Sequence, residues 1–250
     1  MLFAFIIIGL IQGLTEFLPV SSSGHIVLAT KLFNLNVDTL FLTVFVHMGT
    51  LLAVIIVYRK RLWDMIRHPF TAYNFKILIS TLITVICYLI FGDMVERAFG
   101  GEFLVYGFVL SAIVLIASDL MKPSFKPVGW GQSVVIGFAQ GLALFPAVSR
   151  SGMTICASIF AGVGRSESAD YSFILSVPVI LGSSILEIPH LTSLPSNQIF
   201  PLICAFIVAF VSGILAIKLM ISAIKKAKLS YFAFYLIILS IVLIALGYGR

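Results

Sequence analysis

Runs of about twenty nearly charge-free residues recur from one end of this chain to the other, and a run of that length is what a helix needs to cross a bilayer. Composition agrees: 60% of the residues are hydrophobic, 10% are charged and the mean hydropathy is +1.15. A soluble domain carries about a quarter of its residues as charges. With 250 residues there is room for one membrane bundle of about six to eight spans and no separate soluble domain. The net charge of +6 lies in loops between the apolar runs, which excludes a nucleic-acid partner and leaves membrane lipids as the surroundings. Cys87, Cys156 and Cys204 lie far apart in apolar segments and read as small buried side chains, with neither a disulfide nor a metal site. The N-terminal run has no basic leader and no small-residue cleavage site, and the chain has no lipidation motif.

Two polar stretches interrupt this pattern. Gln12 to His25 reads QGLTEFLPVSSSGH and Gln140 to Met153 reads QGLALFPAVSRSGM. At an offset of 128 residues they match at eight of fourteen positions. The first copy brings Glu16, Ser22 and His25 where the second has Leu144, Arg150 and Met153. Each stretch is flanked by short apolar pieces, 1–18 with 25–33 and 130–145 with 152–164, which predicts two re-entrant helix hairpins. Irregular backbone at that depth needs protein or a wet cavity around it. Three full spans are expected after each hairpin: 39–58, 75–92 and 102–121, then 167–187, 199–221 and 229–248. The expected fold is therefore all-α and polytopic, a single membrane domain over 1–250 with repeat 1 about 1–121 and repeat 2 about 130–250. A hairpin returns the chain to its side of entry and three spans do not, so the second repeat is expected to be inverted.

Loop charge orients the bundle. Arg59, Lys60, Arg61, Arg67, Lys76, Lys122, Lys126, Arg165, Lys225, Lys226 and Lys228 fall on one side. The other side has Lys31, Arg97 and Arg250 with Asp38, Asp93, Glu96 and Glu102. The positive-inside rule makes the first side cytoplasmic, so both termini and the first hairpin are expected to open outward and the second hairpin inward.

Glu16 and Arg150 are the charges placed at membrane depth, where a charge costs about 2.5–3.5 kcal/mol and takes a partner. If the hairpin tips meet, Glu16, His25 and Arg150 converge with Ser21, Ser22, Ser23, Ser149 and Ser151. Arg150 offers a fork for phosphate oxygens, and helix starts at Ser21–His25 and Ser151–Gly152 add amide donors. Gly24 and Gly152 are expected to let backbone approach a ligand. A serine hydroxyl or a water can attack phosphorus, His25 can move a proton, and Glu16 can orient the imidazole or act as the base. Thr154 reads as a hydroxyl bonded within its own helix, and His47 as a hydrogen-bonded interior residue. His68 and His190 have no assignment, and Asp119, Asp170 and Glu187 are expected to meet interfacial water.

These same residues resemble the undecaprenyl-diphosphate phosphatase (bacitracin-resistance protein) family over essentially the full chain. Its first motif matches Gln12, Glu16 and Pro19 to His25; its second matches Pro146 to Thr154. The resemblance implies a membrane phosphatase that converts a polyprenyl diphosphate to the monophosphate at the outer face of the cell membrane, returning a carrier lipid to cell-wall synthesis. It implies Glu16, Ser22, His25 and Arg150 as catalytic. Gln12, Ser21, Ser23, Gly24, Ser149, Ser151, Gly152 and Thr154 become the substrate-binding candidates. Gln12 stands where many members have Glu, and Ala147 replaces a glycine. The family's stimulation by divalent cations implies that magnesium or calcium is held partly by substrate, since the site has few carboxylates. A lipid-carrier flippase or transporter built on the same repeats is the rival reading, and a structural membrane subunit the third.

Overall fold

The computed structural model describes residues 2–35, 39–187, 196–226 and 228–248, with the side chains of 39, 40, 186, 187, 196, 225 and 226 excepted. Asp38, His190 and Arg250, and the side chains of Glu187, Lys225 and Lys226, lie outside the described residues.

The described chain is helical, with one isolated bridge between Lys126 and Val163. In order, the helices are α1 (Leu2–Thr15), α2 (Ser22–Leu32), α3 (Thr39–Val57), α4 (Arg59–Arg67), α5 (Ala72–Ala98) and α6 (Leu104–Asp119). There follow α7 (Trp130–Leu142), α8 (Arg150–Phe160), α9 (Arg165–Glu187), α10 (Ser196–Lys226) and α11 (Ser230–Ala245). Three stretches are long and apolar enough to cross a membrane, Ala72–Ala98, Arg165–Ile185 and Asn197–Ile224. Phe41–Val57 and Arg59–Arg67, bent by 79° to each other, meet the same criterion only when taken together. The molecule is a polytopic α-helical membrane protein.

The spans expected at 102–121 and 229–248 are helical only over 16 residues each. Their ends are fixed by named contacts. Gly101, at φ 93, turns the chain into α6. Asp119 accepts from Arg165 Nη2 at 2.6 Å and from the Ser230 amide at 2.8 Å, tying the end of α6 to the starts of α9 and α11. Gly247, at φ 88, ends α11 with the Tyr248 amide donating to the Leu243 carbonyl at 2.9 Å. That is a glycine C-terminal motif, and it satisfies carbonyls the helix leaves open. A segment expected as loop, 59–67, is the short helix α4, with four basic residues and no buried side chain.

Both polar stretches break a helix pair, α1/α2 and α7/α8. The first helix of each pair lies on a long helix from the other half of the chain, α1 on α10 and α7 on α5. Gly9 and Gly13, and likewise Gly137 and Gly141, supply the close approach. A Cβ on Gly13 would lie 2.6 Å from the Ala209 carbonyl oxygen, and one on Gly137 would lie 2.9 Å from that of Ser80. Small residues four apart let helix backbones touch where lipid offers no hydrophobic drive to associate. The two breaks are then pressed together. Ser151 Oγ donates to the Leu18 carbonyl at 3.0 Å. A Cβ on Gly152 would lie 3.4 Å from Pro19, and one on Gly24 would lie 2.7 Å from Ala147 Cα.

Candidate active site

The two breaks carry their polar groups to one place. In each, a serine caps the following helix: Ser21 Oγ accepts from the Gly24 amide at 3.4 Å, and Ser149 Oγ from the Gly152 amide at 3.1 Å. This is the N-cap arrangement expected of serine. The turns themselves differ. The left-handed residue is Ser21 (φ 67) in the first and Ala147 (φ 68) in the second, where Ser149 is ordinary at φ −71.

Glu16, 4% exposed, is the hub. Its Oε2 accepts from Ser22 Oγ at 2.5 Å and from Gln12 Nε2 at 2.9 Å, and His47 Nε2 lies 3.0 Å away. Arg150 Nη2 pairs with its Oε1. Gln12 Nε2 is also 3.2 Å from Thr50 Oγ1, which anchors it to α3. Arg150 Nη1 is buried without a hydrogen-bond partner. A guanidinium with one nitrogen on a carboxylate and a second one unused is half engaged, and an oxyanion suits the free half.

Glu16, Ser22, His47 and Arg150 line a cavity of about 480 Å3. Glu16, Arg150, His47 and the five serines Ser21, Ser22, Ser23, Ser149 and Ser151 form its polar end. Its apolar walls come from α5 (Val85, Leu89, Val95), the end of α7 (Ala143, Leu144) and α9 (Val179, Ile180), with Tyr88 and Glu96 farther along. A polar end with long apolar walls suits an amphiphile with a charged head.

Several expectations need correction. His25 does not meet Glu16 and does not line the cavity. Its Nδ1 is 2.7 Å from the Ser21 carbonyl oxygen and its Nε2 is 2.7 Å from the Tyr235 hydroxyl. The ring stacks on Tyr235 and meets Phe108 edge-on, and both nitrogens have partners other than Glu16. The imidazole against Glu16 is that of His47, read from sequence as an interior residue. Thr154 bonds within its own helix, as its sequence reading expects, donating to the Arg150 carbonyl at 2.8 Å; it lies 2.6 Å from Ser172 and does not line the cavity. Gly24 and Gly152 bring the two breaks together and do not line the cavity. Asp170 accepts from the Tyr58 hydroxyl at 2.6 Å, and Asp119 is tied as described, so neither simply meets interfacial water. His47 could not have been found from the motifs: a histidine in an apolar span carries no mark of which partner it reaches.

A divalent cation held by the protein does not fit. The site's one carboxylate has Arg150 on Oε1 and three neighbours on Oε2, and no group of three metal-binding side chains occurs among the described residues.

The chain has relatives among known proteins that match it over nearly its whole length. The chain is 36% identical to the undecaprenyl-diphosphatase of Carboxydothermus hydrogenoformans over 252 residues, covering 98% of this chain and 97% of that protein. It is 36% identical to the undecaprenyl-diphosphatase of Christiangramia forsetii, covering 100% and 99%. It is 38% identical to undecaprenyl-diphosphatase 4 of Bacillus thuringiensis, covering 97% and 96%. The model of the bacitracin resistance protein BacA family matches residues 5–242, and the chain belongs to that family.

Proposed function

We propose that this protein hydrolyses undecaprenyl diphosphate, or a polyprenyl diphosphate like it, to the monophosphate and inorganic phosphate. The observation that carries the reading is Ser22 Oγ, 2.5 Å from Glu16 Oε2 at the polar end of the cavity, with Arg150 on the other carboxylate oxygen. In the proposed reaction the free Arg150 nitrogen and the α8 and α2 amides hold the diphosphate, neutralising charge that grows on the equatorial oxygens. Ser22 Oγ attacks the terminal phosphorus. The bond from that phosphorus to the bridging oxygen breaks, its electron pair leaves with the prenyl monophosphate, and the serine proton goes to Glu16. Water then attacks the phosphoserine, phosphate departs, and Glu16 returns the proton to Ser22 Oγ. His25 acts by holding the Ser21 turn. Any divalent cation would arrive on the substrate's own oxygens.

The relatives' names support a diphosphatase and do not favour the flippase or transporter alternative. The proposed orientation follows the loop charges. The cavity is built from the first half of α3 and the second halves of α5 and α9, the ends that the charge bias assigns to the outside. This supports release of phosphate at the outer face of the cell membrane. It also supports the inverted arrangement of the two repeats, together with the matching α1–α10 and α7–α5 contacts.

The test is phosphate release by purified protein in detergent from a C15 or longer prenyl diphosphate. Ser22→Ala and Arg150→Ala are each expected to lower kcat by about 100-fold or more. Wild-type protein that releases no more phosphate than a Ser22→Ala, Arg150→Ala double variant would sink the phosphatase reading.

A further inference from the structure

The geometry points to His47 as a positioning residue that shares a proton with Glu16 and gives the site its second cation. This deepens the phosphatase reading above and rests on it. His47 lies on α3, outside both motifs, and reaches the cavity beside Glu16. Its Nδ1 is 2.5 Å from the Thr43 carbonyl oxygen, an atom that can only accept, so Nδ1 carries a hydrogen. Its Nε2 faces Glu16 Oε2 at 3.0 Å. Without a proton between them, two lone pairs would confront each other at hydrogen-bond distance. Ser22 and Gln12 both donate to that same oxygen, which makes Oε2 an acceptor and places the shared proton on Nε2. The arrangement is an imidazolium–carboxylate pair, braced from behind by a helix carbonyl.

The charges around the pair give it a purpose. Glu16 has Arg150 on one oxygen and His47 on the other, so the three groups together carry one net positive charge. A lone carboxylate would repel a diphosphate; this one is screened on both sides and still accepts the Ser22 proton. The groups facing His47 from neighbouring elements are Glu16 and Gln12 from the α1 break, Ser22 from α2 and Arg150 from α8. The α9 acids Glu167 and Asp170 are engaged with Arg61 at the other end of α3, and Lys218 of α10 is exposed. Across the cavity, α5 presents Tyr88 and Glu96 to each other at 3.2 Å.

Two substitutions separate this role from a packing role. His47→Ala removes both donor and charge. His47→Gln puts an amide N–H about where Nε2 lies, a donor that does not titrate. Phosphate release from a C15 prenyl diphosphate is measured from about pH 5 to pH 9, a span that contains the range in which histidine ordinarily changes charge. As pH rises the wild-type pair loses its proton, a lone pair is left against the carboxylate, and kcat/KM falls. His47→Ala is expected to lower kcat about tenfold or more. His47→Gln is expected to recover part of that loss and to show no alkaline fall. The inference is overturned if His47→Ala stays within about twofold of wild type, if wild type shows no alkaline fall, or if His47→Gln keeps it. Wild-type protein that releases no phosphate at all overturns the phosphatase reading instead.

Discussion

Glu16 is the residue on which the site turns, because four side chains end on its two oxygens, Gln12 from its own break and Ser22, His47 and Arg150 from α2, α3 and α8. Three of those neighbours were legible in the sequence. Gln12 is one helical turn away, Ser22 is in the same motif, and Arg150 stands out as a charge at membrane depth in the duplicated copy. His47 was not legible, because its contact is set by how α3 packs on α1 and α10, and the duplication holds no copy of it. His25 was expected to meet Glu16 and does not, for the opposite reason. It belongs to a conspicuous motif, yet it points to Tyr235 and Phe108. Its proposed task is to hold the Ser21 carbonyl through Nδ1, and Ser21 needs holding because a serine at φ 67 is in the left-handed region, at a cost of about 1–2 kcal/mol. Asparagine can reproduce a hydrogen bond from the Nδ1 position and cannot move a proton. We therefore expect His25→Asn to keep most of the phosphatase activity and His25→Ala to lose about tenfold through a disordered turn. Equal loss in both variants would give His25 the acid–base role that the family resemblance implied.

At the scale of elements, the broken helices and most spans could be read from apolar periodicity and the 128-residue offset, because both come from local composition. Two features could not. The helix α4 is too polar to register as a span and too short for a periodic signal, so its basic residues looked like loop. The glycine pairs Gly9/Gly13 and Gly137/Gly141 were present in the sequence, but their partners on α10 and α5 lie in the other half of the chain. Those pairs carry a direct expectation. A methyl group on Gly13 would fall 2.6 Å from the Ala209 carbonyl oxygen and 2.8 Å from the Gly213 nitrogen, both backbone atoms that cannot swing away. Gly13→Ala should therefore destabilise the protein by about 1–3 kcal/mol and displace Glu16, three residues on, from its partners. Gly131, in α7, has nothing within 4 Å of its Cβ position, and its change to alanine should be neutral or slightly stabilising. Melting temperatures of the two variants in detergent check this pair, and equal melting would mean that α1 and α10 do not meet as closely as described.

At the scale of the whole molecule, the site exists because each half of the chain supplies what the other lacks. The first helix of each break packs on a long helix from the other half of the chain, α1 on α10 and α7 on α5. Acid and hydroxyl come from one break and the guanidinium from the other, and the cavity they share is walled by α3, α5 and α9. Under the proposed orientation this cavity opens outward, where Glu96 lies at the end of its α5 wall. The opposite face carries Lys126 in the connection before α7, exposed beside the exposed Phe125. Single cysteines report on the two faces once Cys87, Cys156 and Cys204 have been replaced. A membrane-impermeant thiol reagent should label Glu96→Cys in intact cells and should label Lys126→Cys only after the membrane is opened. A bulky prenyl diphosphate added from outside should slow labelling at Glu96→Cys, because its tail would lie along the same α5 wall. Labelling of Lys126→Cys in intact cells would reverse the orientation and place phosphate release on the cytoplasmic side, while leaving the chemistry at Glu16, Ser22 and Arg150 as described.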